Sequence, residues 1–263
     1  MTARTKRAIT VLRDAHEDLV TYVSAMPPSE LKRSSAASEW SIAQVLSHLG
    51  SGAEIMRGTI EATLAGDPPP ESESRHAVWD RWNAMPPQEQ ADTFVSSNEL
   101  LLGQFEEFDD EQLERLRIDL GFLPEPVDVL TTASLRLHEF VLHSWDVKVV
   151  SRPTQTLTAA AVEFLFQPVD MLIGWIGQPV SVAAGAVVSV RTEAPTRSFG
   201  LELSEPVRIV DPPSAAEATL TIPAEAFIRL VTGRLALDHT PAEAVVEGGE
   251  LTLDHLRETF PGY

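Results

Sequence analysis

The sequence predicts an α+β protein, with an antiparallel four-helix bundle over residues 1–176 followed by a small α/β domain over residues 177–263. Three observations carry this expectation. Apolar stripes at a spacing of three to four residues fill the first two thirds of the chain, and proline-rich segments separate them. After Gly177 the pattern changes to short β-branched runs between turn residues. Long amphipathic helices joined by proline-rich loops pack as antiparallel neighbours.

Residues 5–24 carry Ile9, Leu12, His16, Leu19, Val20 and Val23 at helical spacing, and Pro27-Pro28 ends the run. A second helix starts near Ser41. Its stripe of Ile42, Val45, Leu46, Leu49, Ala53, Met56 and Ile60 continues until Gly66 and the prolines at 68–70. Trp79 to Phe108 reads as helix in two pieces, broken at Pro86-Pro87. Pro126 sits where a first helical residue tolerates it, so the next helix is expected from there to about Val150, before Pro153. A fifth helix covers residues 158–176. Beyond it, residues 186–190, 200–203, 207–210 and 218–222 are β-like runs. Helices over 224–232 and 251–260 follow, with Gly233 stopping the first.

Composition narrows the function. Thirty-nine acidic residues against 20 basic ones give a formal net charge of −19, which repels phosphate backbones and anionic lipid surfaces. Lys and Arg are scattered rather than clustered, so neither nucleic acid nor membrane is an expected partner. No stretch approaches about 18 uninterrupted apolar residues, and no apolar run follows Met1–Thr10, so neither a membrane span nor a signal peptide is expected. The absence of cysteine removes disulfides, thiolate ligands and a cysteine nucleophile together. It also fits a reducing cytoplasm, the expected location.

The segment with chemical content is Leu135-Arg136-Leu137-His138-Glu139-Phe140-Val141-Leu142-His143-Ser144-Trp145-Asp146. Glu139 and His143 are four apart and share one helix face. That helix is apolar almost all round, as a buried helix is. A buried carboxylate needs a cation or a metal beside it, and His143 suggests a shared ion. His48, at the edge of the second helix's stripe, is the third candidate ligand. Three protein ligands with an open fourth position make the pattern of catalytic rather than structural zinc. Asp146 is close enough in sequence to orient the His143 imidazole. His138 lies roughly 140° around the helix from His143, so a structural role is expected for it. His16, His76, His239 and His255 have no matching partners.

Trp40-Ser41-Ile42-Ala43-Gln44-Val45-Leu46-Ser47-His48-Leu49 resembles the tryptophan-to-"HL" helix of the DinB/maleylpyruvate isomerase superfamily. Glu139 to Asp146 resembles the E-x-x-x-H-x-W-D segment of its mycothiol-dependent maleylpyruvate isomerase branch. The resemblance implies a DinB-like bundle that binds a divalent metal, usually zinc, through His48, Glu139 and His143. It also implies mycothiol as cosubstrate. The tail from Phe227 to Arg234, with Val246-Glu247-Gly248-Gly249 and a closing helix, is similar to the family's sterol-carrier-like C-terminal domain, although Gly248-Gly249 replaces the usual G-D. By that likeness Arg234 is the candidate for holding acidic substrate groups, and Arg81, in Trp79-Asp80-Arg81-Trp82, is a second candidate by position. The expected activity is thiol-dependent isomerisation or thiol transfer on a small electrophilic substrate. The alternatives are a metal-dependent hydrolase and a non-catalytic module that binds a small ligand or a protein.

Overall fold

A computed structural model describes residues 2–37 and 39–262. By contacts the chain divides into two compact units, residues 1–152 and 153–263.

The first unit is built on α1 (Thr2–Ser24), α2 (Ile42–Ala65), α3 (Ser72–Asn83), α4 (Pro87–Glu106), α5 (Asp110–Arg115) and α6 (Val129–Lys148). Helices α1, α2, α4 and α6 form the expected four-helix bundle: α1 packs on α6 and α4, and α2 packs on α4 and α6. Its core is apolar, with Leu12, Leu19, Leu46, Leu49, Phe94, Leu101, Phe105 and Phe140 fully buried. Ser41 starts α2 with a capping box, in which its hydroxyl accepts from Gln44 N and its own N–H donates to Gln44 Oε1. Gly66 ends α2 in the left-handed conformation, φ 76°.

Two elements begin elsewhere than the sequence predicts. Helix α3 starts at Ser72 rather than near Trp79. Pro126 does not open α6. Residues Val127–Asp128 (β2) pair antiparallel with Arg117–Ile118 (β1), and the Asp128 carboxylate then caps α6 by accepting from Thr131 N at 2.7 Å. An aspartate supplies a cap acceptor that proline cannot, so the helix begins after it. The acidic stretch from Glu106 to Glu111 also gains a structural account. Glu106 takes a two-pronged bond from Arg13 of α1, Asp109 caps α5, and Asp110 pairs with Lys6.

The second unit holds α7 (Ala159–Ile176), β3 (Val187–Glu193), β4 (Arg197–Glu202), β5 (Arg208–Val210), β6 (Ala218–Pro223), α8 (Ala224–Val231), β7 (Val245–Glu247) and α9 (Leu253–Thr259). The sheet order is β5-β4-β3-β6-β7, antiparallel throughout except for the parallel β3/β6 pair. The sequence placed the domain boundary at 176/177, whereas the contacts divide the chain at 152/153. The reason is α7, which packs on α8 and β5. Helix α7 is long and apolar enough to cross a membrane by length and composition alone, although Glu163, Gln167 and Asp170 interrupt its apolar run. Gly248 and Gly249 both take positive φ, 86° and 62°, and a Cβ on Gly249 would collide with the Glu217 carbonyl, so the turn after β7 needs glycine there.

Candidate metal centre

Helix α6 is buried on every face. Of its residues only Leu130 and Glu139 keep partial exposure, so its polar side chains must find partners inside the protein. Arg136 reaches across the bundle, donating to the Leu49 carbonyl of α2 at 2.5 Å and to Asn98 Oδ1 of α4 at 2.7 Å. Burial lowers its pKa to about 10, against the opposing charge of Glu139. These bonds tie α6 to α2, the helix that carries His48.

His48, Glu139 and His143 meet between α2 and α6. Glu139 Oε2 lies 3.2 Å from His48 Nε2 and 3.8 Å from His143 Nε2, and the three candidate ligand atoms all fall within 4.8 Å of one another. Tetrahedral zinc with bonds of about 2.0–2.2 Å requires donor–donor edges of about 3.3–3.6 Å, so two edges of this triangle already lie close to that. The donor set also fits: two imidazole nitrogens and a carboxylate, with a fourth position left open.

The protonation pattern suits the same purpose. His143 Nδ1 stands 2.9 Å from Asp146 Oδ2, which places its N–H there and turns the Nε2 lone pair inward. Burial lowers the His143 pKa, outweighing the opposing pull of Asp146 and Glu139, so the ring is neutral at neutral pH. Burial pushes the Glu139 carboxyl up, yet the neighbouring His138, His48 and His143 hold it well below the usual carboxylate range. Trp40 closes one side. Its ring centroid is 5.1 Å from that of His48 and 5.8 Å from that of His143. The loop carrying it is pinned to α6 through Ala36 N, which donates to the Asp146 carbonyl at 2.9 Å.

The two arginine candidates sit on other elements than α2 and α6. Arg81 is on α3, where its guanidinium is bound to Glu54, and Glu54 Oε2 also accepts from Trp82 Nε1 at 2.9 Å. Arg234 belongs to the second unit, just past α8, and donates to the Thr232 carbonyl at 2.9 Å. His138 points away from His143's face but stays beside the site, its Nδ1 3.6 Å from Glu139 Oε1. Sequence spacing missed this because adjacency in the chain, not helical periodicity, brings the ring to the carboxylate's second oxygen. The role of Trp40 was also missed: its motif was legible, but its stacking depends on the loop fold. A cavity of about 660 Å³ opens next to His48, walled by Trp40 and Gln44 on one side and by Trp79, Asp80 and Asn83 on the other.

A helical bundle with a His-Glu-His cluster between two of its helices, followed by a small mixed-sheet unit, defines the class of protein. Residues 12–148 match the model of the mycothiol maleylpyruvate isomerase N-terminal domain, and the chain belongs to that family. Two solved structures share the fold across nearly all of it. One is a mycothiol-dependent maleylpyruvate isomerase, and the other is a histidine-to-alanine mutant described under the same enzyme name. Each has 16% sequence identity and a TM-score of 0.65, over 94% of this chain and 95% of the other. No curated protein matches the sequence.

Proposed function

We propose that this protein is a metal-dependent enzyme that uses a low-molecular-weight thiol, mycothiol by its family, to isomerise a small electrophilic substrate or to transfer the thiol to it. Family membership supports thiol-dependent isomerisation. The observation that carries the metal part is the convergence of His48, Glu139 and His143, with His143 oriented by the buried Asp146.

Those three residues would hold a divalent ion, and the nitrogen-rich donor set favours zinc. When bound, the ion supplies a cationic position at which a thiol loses its proton. The chain contains no cysteine, so the sulfur nucleophile has to come from a cosubstrate. Asp146 keeps the His143 lone pair directed inward, Glu139 contributes one negative charge against the dication, and Trp40 excludes water from one side of both imidazoles. Addition of the thiolate sulfur to an activated double bond makes that bond single. Rotation and expulsion of the same sulfur then release the isomer with the thiol unchanged. Arg234 is proposed as the cation for an acidic substrate group, by its motif. Arg81 is a weaker proposal for that task, because Glu54 already engages it.

Cobalt-substituted protein titrated with mycothiol tests this reading. A sulfur-to-metal charge-transfer band is expected, and His48→Ala should lose that band together with the metal. Failure of the metal-loaded wild type to respond to mycothiol or any other small thiol, combined with hydrolysis of ester or amide substrates, overturns it in favour of a hydrolase.

A further inference from the structure

We infer that Arg136 is a positioning residue of the metal centre that acts by its charge. It leaves the loaded site with one positive charge in excess, so that the open position takes an anion in preference to a neutral ligand. The inference rests on the metal-dependent reading above.

Arg136 is 4% exposed and lies inside the bundle. Its Nη2 donates to two neutral acceptors, the Leu49 carbonyl and Asn98 Oδ1. Its Nε is buried without a hydrogen-bond partner, and no carboxylate pairs with the guanidinium among the described residues. A Cβ on Gly52 would come within 3.0 Å of Nη1, so α2 leaves room for the group where it crosses. The titratable groups it influences are Glu139, one turn further along α6, and His16 of α1. A buried guanidinium is costly unless a carboxylate meets it directly. The two hydrogen bonds do not require that cost, because a neutral amide would donate to the same oxygens. A charge alone can act without contact, and the anion it acts on is the carboxylate of the triad.

Glu139 turns its oxygens to His48, His138 and His143 instead of to Arg136. The guanidinium therefore biases the site through space and takes no lone pair from it. A divalent ion held by Glu139 and two neutral imidazoles would have its two charges cancelled by Glu139 and the buried Asp146. Arg136 is then the charge left over, in an interior where screening is weak. Such an excess lowers the free energy of an anion at the open position and leaves that of a neutral ligand nearly unchanged. It also opposes the dication itself. For the proposed activity, this preference selects a thiol in its ionised form. The sign separates this role from a purely mechanical one. Loss of a tie between helices weakens metal binding, whereas loss of an opposing charge strengthens it.

Cobalt-loaded protein titrated at pH 8 with azide, an anion, and with imidazole, a neutral ligand, tests the inference through the visible spectrum. Chelator competition on the same variants gives the zinc affinity. Arg136→Gln removes the charge, and Asn98→Asp compensates it while keeping the guanidinium and its bond. Each should bind azide about tenfold more weakly, the effect of one interior charge about a turn or two away. Imidazole affinity should stay within about twofold, and zinc affinity should be equal or tighter. Arg136→Lys should restore the azide preference. Should Arg136→Gln fail to fold, Asn98→Asp carries the comparison, since it removes no contact. An unchanged azide-to-imidazole ratio in Asn98→Asp, or zinc affinity lowered alike in all three variants, overturns the inference and leaves the metal reading intact. Wild type that retains no cobalt defeats the metal reading and this inference together. Wild type that shows the Arg136-dependent azide preference but ignores mycothiol keeps the inference and defeats the thiol reading.

Discussion

The Asp146 carboxylate is wholly buried, and its Oδ2 lies 2.9 Å from Nδ1 of His143, one helical turn earlier on α6. A buried carboxylate is costly unless something uses its charge. Here the imidazole N–H does, and the result is a fixed tautomer with its lone pair facing His48 and Glu139. Replacement by a neutral isostere keeps the shape and removes the charge. Asp146→Asn should therefore weaken zinc binding by about 10–100-fold. Competition titration with a chromophoric chelator measures this, and an unchanged affinity would remove Asp146 from the site.

His138 invites the opposite experiment. Both its ring nitrogens are buried without hydrogen-bond partners among the described residues, and its 3.6 Å approach to Glu139 Oε1 is too long for a hydrogen bond. Each buried unpaired group costs about 1–3 kcal/mol. His138→Leu is expected to leave the melting temperature unchanged or raised, and to weaken metal binding less than Asp146→Asn does. A clearly lowered melting temperature would mean that the ring has a buried water as its partner.

Gly50, in the middle of α2, faces the indole of Trp82, and a Cβ there would overlap the ring carbons. Gly to Ala in a helix ordinarily gains about 0.5–1 kcal/mol, but overpacking a filled core costs about 1–3 kcal/mol, so the clash wins. The displaced element is α3, which Trp82 anchors and which carries Trp79, Asp80 and Asn83 into the cavity wall. Gly50→Ala should lower the melting temperature. Thermal scans of the variant beside the wild type check this, and an unchanged transition would show that α3 yields without loss.

His16 makes acid stability titratable. It is buried on α1 between Phe94 and Phe140, with Glu99, Arg13 and Arg136 as the charges around it. Burial lowers its pKa below the ordinary value of 6.5, the pull of Glu99 notwithstanding. Its folded pKa is thus depressed, so its contribution is fully present above the unfolded value and is lost as pH falls through the folded one. Urea unfolding of metal-free protein should lose up to about 1.4 kcal/mol per pH unit from this group below pH 6.5. His16→Phe should flatten that part of the profile, and an identical slope in the variant would assign the effect to another group.

Much of the site was legible because its residues follow local rules. Glu139 and His143 share a face by spacing, Ser41 announces the start of α2, and Gly66 announces its end. What escaped depends on distant partners. Whether Val127 and Asp128 pair as a strand is decided by Arg117 and Ile118, and whether α7 joins the bundle is decided by α8 and β5. The sequence points to Trp79 as the start of a helix because the polar residues before it show no apolar stripe. Their helix forms through the anchorage of Trp82 on Glu54.

Trp40 has an optical consequence. Its ring lies 5.1 and 5.8 Å from the two imidazoles, so an ion held by both would sit close to an indole excited state. Emission from this residue becomes a built-in gauge of occupancy: a coloured or paramagnetic ion at the triad would quench it at short range, while a closed-shell ion would leave it bright. Trp40→Phe would silence the gauge, so the protein can be loaded, emptied and compared across metals without attaching any dye.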